Sequence, residues 1–197
     1  MEIYAPLSDR MGMKRIRDEL EDLSFAELNP EARKLIVDRI SLNKENRENN
    51  FIDISRTFEK ILSDNCISSK IIGREKTPFS IWRKMQFKRV SLEQLTDIIG
   101  FRIIVDDIET CYKVLGIFHK NWSTIPGRFK DYISTPKSNG YSSIHTNVIG
   151  PLGRPIEIQI RTQKMHELNE YGVAAHWYYK EKNSTPVKLS LIHISEP

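Results

Sequence analysis

The chain lacks several things, and each absence closes off an interpretation. It has two cysteines in 197 residues, Cys66 and Cys111, at no spacing that suits a metal site or a redox pair. They are expected to be free, buried thiols in a reducing compartment. No run approaches the roughly 18 apolar residues of a membrane span. The opening "MEIYAPLSDRMG" lacks the basic-then-apolar order of a secretory signal. The expected compartment is therefore the cytoplasm, with no membrane partner. There is no GxxxxGK[ST] loop and no GxGxxG, so any phosphate would be held by side chains rather than by a glycine-rich loop. No RRM, KH or OB signature accompanies the net charge of +4, and direct nucleic-acid binding is not expected.

What is present suits a folded domain with an appendage: 39% hydrophobic and 28% charged residues. Ile16, Leu20, Leu23 and Leu28 recur at helical spacing over residues 13 to 28, predicting an amphipathic helix. Pro30 opens one long helix or two abutting ones, running to about Leu62. The polar stretch "LNKENRENN", 42 to 50, marks a candidate domain junction. Beyond it, "CISSKIIG", "FRIIVDD", "YSSIHTNVIG" and "PIEIQIRT" read as strands. "PFSIWRKMQ", "SLEQLTDI" (a capping box from Ser91 and Gln94), "ETCYKVLGIFHKNW" and "QKMHELNEYGVAAHWYYK" read as helices. The expected class is α+β, a mixed β-sheet flanked by helices.

"PIEIQIRT" carries the sharpest signal. In a strand, Ile156, Ile158 and Ile160 share one face, and Glu157, Gln159 and Arg161 share the other. Such a polar face belongs either to a solvated edge strand or to the floor of a cleft. Asp97, at the end of "SLEQLTDI", stands just before "FRIIVDD" and could join Glu157 there. Two convergent carboxylates can hold Mg²⁺, and one can take a proton from a hydroxyl. Cations bracket both acids: Arg74, Lys76, Arg83 and Lys84, then Arg102 inside an apolar strand, then Arg128, Lys130 and Lys137. A charge placed like Arg102 must be paired or face a cleft. The segment "GRFKDYISTPKSNGYSSIHT", 127 to 146, adds the ring of Tyr141 between flexible turns. Cations, a flat ring and bending backbone suit a nucleotide.

Five ordered stretches, "GREK…SIWRKM", "LTDIIGFRIIV", "PGRFKDYISTPKSNGYSSIHT", "EIQIRT" and "MHELNEYGVAAHWYYK", resemble the synthetase domain of the RelA/SpoT family. The resemblance implies a nucleotidyltransferase-like fold. It also implies a GTP diphosphokinase activity: transfer of the β,γ-diphosphate of ATP to the 3′-hydroxyl of GDP or GTP, making (p)ppGpp. By motif match it makes Asp97 a Mg²⁺ ligand and Glu157 the acid that activates the hydroxyl and shares the metal. It makes Arg74, Lys76, Ser80, Lys84 and Arg102 the ATP and phosphate set. Tyr141 becomes the ring that stacks on guanine, with Lys137, Asn139 and His145 beside it, and Arg128, Lys130, Gln159 and Arg161 in the same acceptor region. "RFKD" is the version associated with bifunctional synthetase-hydrolases. Residues 1–48 resemble only the last helices of the hydrolase domain, 49–182 the synthetase domain. No "HD" pair occurs, so hydrolase activity is not expected, and ribosome contact is not expected without a downstream regulatory region. Phe79 stands where the family has tyrosine. Residues 183–197 read as a linker plus a tail, "LSLIHISEP", that resembles translated sequencing adapter. The alternative to an active enzyme is a truncated, inactive remnant that at most binds guanine nucleotides.

Overall fold

The computed structural model describes residues 2–42, 44–92 and 99–174. Four helices come first: α1 (Tyr4–Arg10), α2 (Lys14–Leu28), α3 (Pro30–Leu42) and α4 (Lys44–Asp64). Pro30 opens α3, and α3 and α4 are the two abutting helices. The junction expected between residues 48 and 49 falls inside α4. Then come β1 (Lys70–Glu75), α5 (Pro78–Lys88), β2 (Ile99–Val105), α6 (Ile108–Asn121), β3 (Lys130–Asp131), β4 (Ile144–Ile149), β5 (Pro155–Thr162) and α7 (Gln163–Tyr171). Side-chain caps start three of the helices. Thr77, Asp107 and Thr162 accept from the backbone N–H of Ser80, Thr110 and Met165, satisfying donors a helix start leaves open. Asp106 and Asp107, expected in the strand "FRIIVDD", lie beyond it, and Asp107 is a cap instead. "SLEQLTDI" beyond Leu92, and the chain after Ala174 including the tail, lie outside the described residues.

The sheet has five strands in the order β1-β2-β5-β4-β3. β2 and β5 run parallel; the other pairs are antiparallel. The expected α+β class with a mixed sheet is what the chain forms. β5 is the central strand, so its polar face is not that of a solvated edge.

One side of the sheet is dry. Phe101, Ile103 and Val105 of β2, Ile144 and Val148 of β4, and Ile156, Ile158 and Ile160 of β5 pack against Ile54, Phe58 and Leu62 of α4 and Val114 and Phe118 of α6. Phe58 sits in an aromatic nest, its centroid 4.8 Å from Phe118 and 5.2 Å from both Phe101 and Trp122. A second cluster joins Phe25 of α2 and Ile36 of α3 to Phe79 and Ile81 of α5. The N-terminal helices thus share a core with α5, and Phe79 is part of it.

Three expectations need correction. α2 does not bury its apolar stripe: Ile16, Leu23 and Leu28 are 45%, 61% and 64% exposed, while Glu21 and Phe25 are buried. The face turned inward carries Lys14, Arg17, Asp18 and Glu21, because the neighbour it meets is a charged cleft. α7 stops at Tyr171 rather than running on, because Gly172 takes φ +55°. Gly172 touches the backbone of residues 11 to 13: a Cβ there would lie 2.2 Å from the Met11 carbonyl oxygen. Finally, Cys111 is buried but Cys66 is exposed, at the end of the turn after α4.

Candidate active site

Side chains on the other side of the sheet come from alternate positions of the same strands. Strand register sets Arg74, Gly100, Glu157 and Asn147 in one row and Arg102, Gln159 and His145 in the next. Period-two alternation that makes one face a core makes the opposite face this polar floor. Gly100, between Arg74 and Glu157, leaves the floor open there.

The floor underlies a cleft in two lobes. The inner lobe is a cavity of about 390 Å³ walled by Lys14, Lys137, Asn139, Tyr141, His145 and Glu157 among others. The outer lobe, about 400 Å³, is walled by Arg17, Arg74, Lys76, Ser80, Arg83 and Lys84. Arg74 borders both, and a narrow gap lined by Arg74, Lys76, Gly100 and Glu157 lies between them. Glu157 and Lys76 meet at this junction, Nζ to Oε2 3.2 Å.

Local structure aims each group. Ser80 enters the outer lobe from the first turn of α5, and Lys84 stands one turn further along. Tyr141 is presented by a tight loop: the N–H of Lys137 donates to the Tyr141 carbonyl, and Gly140 takes φ +78°. Buried Asn169 of α7 fixes the next residue, its amide both donating to and accepting from the Ser142 backbone. The Asn139 amide donates to the Asp9 carbonyl, tying the loop to α1. Tyr132, Tyr141 and His145 meet edge to face. The ammonium groups of Lys14 and Lys137 stand over the Tyr141 ring, 5.6 and 5.3 Å from its centroid.

Electrostatics separates the groups sharply. Burial pushes the Glu157 carboxyl up, but Lys76, the amide hydrogen bond from Gln159 (2.9 Å) and His145 outweigh it and hold it down at about 2. Burial drives His145 down to about 4, so its ring is neutral at pH 7, with Nε2 2.7 Å from the Tyr141 hydroxyl and Nδ1 3.9 Å from Glu157. Burial, then the neighbouring Lys76, lowers the Lys84 ammonium to about 7. Burial, then Arg74 and Arg102, lowers Lys14 to about 7. Both lobes therefore concentrate positive charge beyond what their carboxylates balance, the condition of a site built for a polyanion.

The sequence expectations divide clearly. Arg74, Lys76, Ser80 and Lys84 meet in the outer lobe; Lys137, Asn139, Tyr141, His145, Glu157 and Gln159 meet in the inner one. Arg102 lines neither. It pairs with Glu170 of α7 at 3.1 Å, as does fully buried Arg161 at 3.3 Å. Arg128 and Lys130 are exposed and are not among the residues lining either lobe. Asp97 lies outside the described residues. Among the described residues, no group of three or more His, Cys, Asp or Glu gathers as a metal site. Sequence reasoning missed Lys14, Arg17, Asp18 and Glu170. The signal was present: Lys14, Arg17, Asp18 and Glu21 fall on one face of α2, at the spacing that makes helix neighbours.

Comparison with known proteins agrees with this geometry. A profile described as "Region found in RelA / SpoT proteins" matches residues 73–184. The chain is 48% identical over 192 residues to GTP pyrophosphokinase rsh of Brucella ovis, covering 96% of this chain and 26% of that protein. It is 44% identical over 185 residues to the bifunctional (p)ppGpp synthase/hydrolase SpoT of Escherichia coli K12, covering 94% of this chain. The chain thus spans about a quarter of the length of these relatives (26% in each case). Its fold is similar to the crystal structure of small alarmone synthetase 2 from Bacillus subtilis, with a TM-score of 0.55 and 28% identity over 75% of this chain and 86% of that one.

Proposed function

The chain belongs to the RelA/SpoT family, and from that premise we propose that it is a GTP diphosphokinase, moving the β,γ-diphosphate of ATP to the 3′-hydroxyl of GDP or GTP. The observation that carries this reading is the cleft's division: two cation-rich lobes joined at one ionised carboxylate, Glu157. A two-substrate transfer of a highly charged group needs that layout. The outer lobe holds the ATP phosphates with Arg74, Lys76, Ser80 and Lys84. The inner lobe holds the guanine nucleotide, its base on Tyr141 and its ribose toward Glu157.

The 3′-oxygen attacks the β-phosphorus, the bond from that phosphorus to the α–β bridging oxygen breaks, AMP leaves, and the hydroxyl proton passes to Glu157. With its acidity held near 2, Glu157 is a weak base. Its main work is to orient the hydroxyl, which suits a loose phosphoryl transition state with little need for early proton removal. Neutral His145 fixes the Tyr141 hydroxyl by a 2.7 Å hydrogen bond and lies beside Glu157 without bonding to it. Lys76, paired with Glu157, stands at the junction that the transferred phosphates would cross. The hard anionic oxygens of Glu157 suit Mg²⁺, and Asp97, three positions in sequence before Gly100, the residue paired with Glu157, would be the second acid that the motif match implies. Mg²⁺ held by these two would neutralise charge on the transferred phosphates.

The test is direct. The full chain, Mg²⁺, γ-labelled ATP and GDP or GTP are expected to yield a labelled guanosine tetra- or pentaphosphate. A folded chain that binds both nucleotides yet makes no product is the inactive remnant instead.

A further inference from the structure

The matched family region begins at residue 73, yet part of the inner lobe comes from far upstream. Lys14, in the first turn of α2, lines the cavity that holds Tyr141, Lys137 and Glu157. Among the described residues it makes no ion pair, and its one polar-group contact is the cation–π approach to Tyr141. Behind it stand Arg102 and Arg161, which share the single carboxylate of Glu170. Arg161 is 0% exposed, and its Nε and Nη1, like Arg102 Nε, have no hydrogen-bond partner among the described residues. Among the described residues, the one ion-pair partner of Arg74 is Asp18, at 3.8 Å. Among the described residues, Lys14, Arg74, Arg102 and Arg161 are thus answered only by Glu170 and by Asp18, which is itself paired with Arg17, while Glu157 is engaged by Lys76 from the other side. Enclosed positive charge without matching anions is unfavourable. A neutral base or sugar does not remedy it; a phosphate does.

We propose that Lys14 is a phosphate-binding residue of the acceptor pocket, taking 5′-phosphate oxygens of the guanine nucleotide while Arg102 and Arg161 supply positive field from behind. This rests on the nucleotide reading of the cleft given above. It makes α1 and α2 part of the binding machinery: a synthetase cut at the start of the matched region loses one wall of its acceptor site.

The experiment is calorimetric titration of the full chain, with Mg²⁺, by GDP, guanosine and ATP in turn, for the unaltered protein and for Lys14→Met and Lys14→Arg. Lys14→Met is expected to weaken GDP about 10- to 100-fold, the value of one charge-assisted contact. Guanosine and ATP are expected to stay within about twofold, and Lys14→Arg is expected to recover most of the loss. Thermal melting of Lys14→Met is expected to hold or rise, since it removes unbalanced buried charge. GDP affinity unchanged in Lys14→Met, a parallel loss for guanosine, or a collapse in melting temperature each overturns the assignment. Binding of GDP that ignores Lys14 sinks this inference alone. Failure of the unaltered chain to bind GDP sinks the nucleotide reading and this inference with it.

Discussion

On one face of β5, Ile156, Ile158 and Ile160 are sealed between the sheet, α4 and α6. On the other, one residue away each time, Glu157, Gln159 and Arg161 look toward α2 and α7. The first face is dry and the second borders the open cleft, and they are held in place differently. The isoleucine face is stabilised by area and shape, where any well-fitting apolar group would serve. The polar face is a balance of charges that does not close: Glu170 answers two guanidiniums, and Gln159 Oε1 has no hydrogen-bond partner among the described residues. The apolar face is complete without a ligand. The polar face is left with charge that an anionic ligand would balance.

The comparison can be broken most severely at its junction. Glu157→Gln is expected to reduce diphosphate transfer by about 10²- to 10⁴-fold while GDP and ATP affinities, measured by titration, stay within a few-fold. Activity within a few-fold of the parent would remove Glu157 from the reaction. On the dry side, Phe58→Ala should lower unfolding free energy in urea by about 3–5 kcal/mol, with nucleotide affinity of the folded protein retained. A loss of affinity at unchanged stability would mean the two faces are not separable. Gly172→Ala probes the join between α7 and the α1–α2 turn. Its positive φ and the Met11 carbonyl in its way predict a loss of roughly 1–2 kcal/mol and weaker GDP binding with ATP spared.

The smallest effect is a pH dependence confined to the polar face. His145, lowered to about 4 by burial, takes up its proton later than in the unfolded chain, so its contribution is full above the ordinary value near 6.5 and fades as pH falls toward 4. Glu157, held at about 2, contributes fully above the usual carboxylate range near 4.5 and loses that contribution toward 2. Melting temperature should therefore fall by several degrees in two overlapping acid steps. In Glu157→Gln the lower step should vanish. A melting profile with the same lower step in that variant would assign it elsewhere.

Much of this was legible because it is local. Period-two alternation marked the two faces of β5, and the cost of a charge within an apolar strand foretold that Arg102 must be paired or face a cleft, without saying which. The helical period also found α2, but not its orientation. Ile16, Leu23 and Leu28 form a convincing stripe, and periodicity does not say what stands opposite. α2 packs against α1, α3, α5 and α7 and borders the cleft with its charged face, so Lys14 and Arg17 turn inward while Leu23 and Leu28 do not. Sheet order was only partly local: β4 and β5 are joined by a short turn and pair as neighbours in sequence, but β5 pairs with β2 across α6, β3 and β4. Glu170, eight residues after β5, was hidden for the same reason: its importance arises only where β2 and β5 bring two arginines to it.

The loop–helix tether between Asn139 and Asp9 joins residues 130 positions apart, and Val173 donates to the Met11 carbonyl from still further along. The wall that α1 and α2 give the inner lobe is thus made well before the segments it docks against. At the usual pace of translation, on the order of 10 s separates Lys14 from the residues it must dock against. During that interval α1 and α2 can settle against α5, but the pocket has no far side. In a nascent chain the inner lobe would close only after every strand of the sheet is in hand.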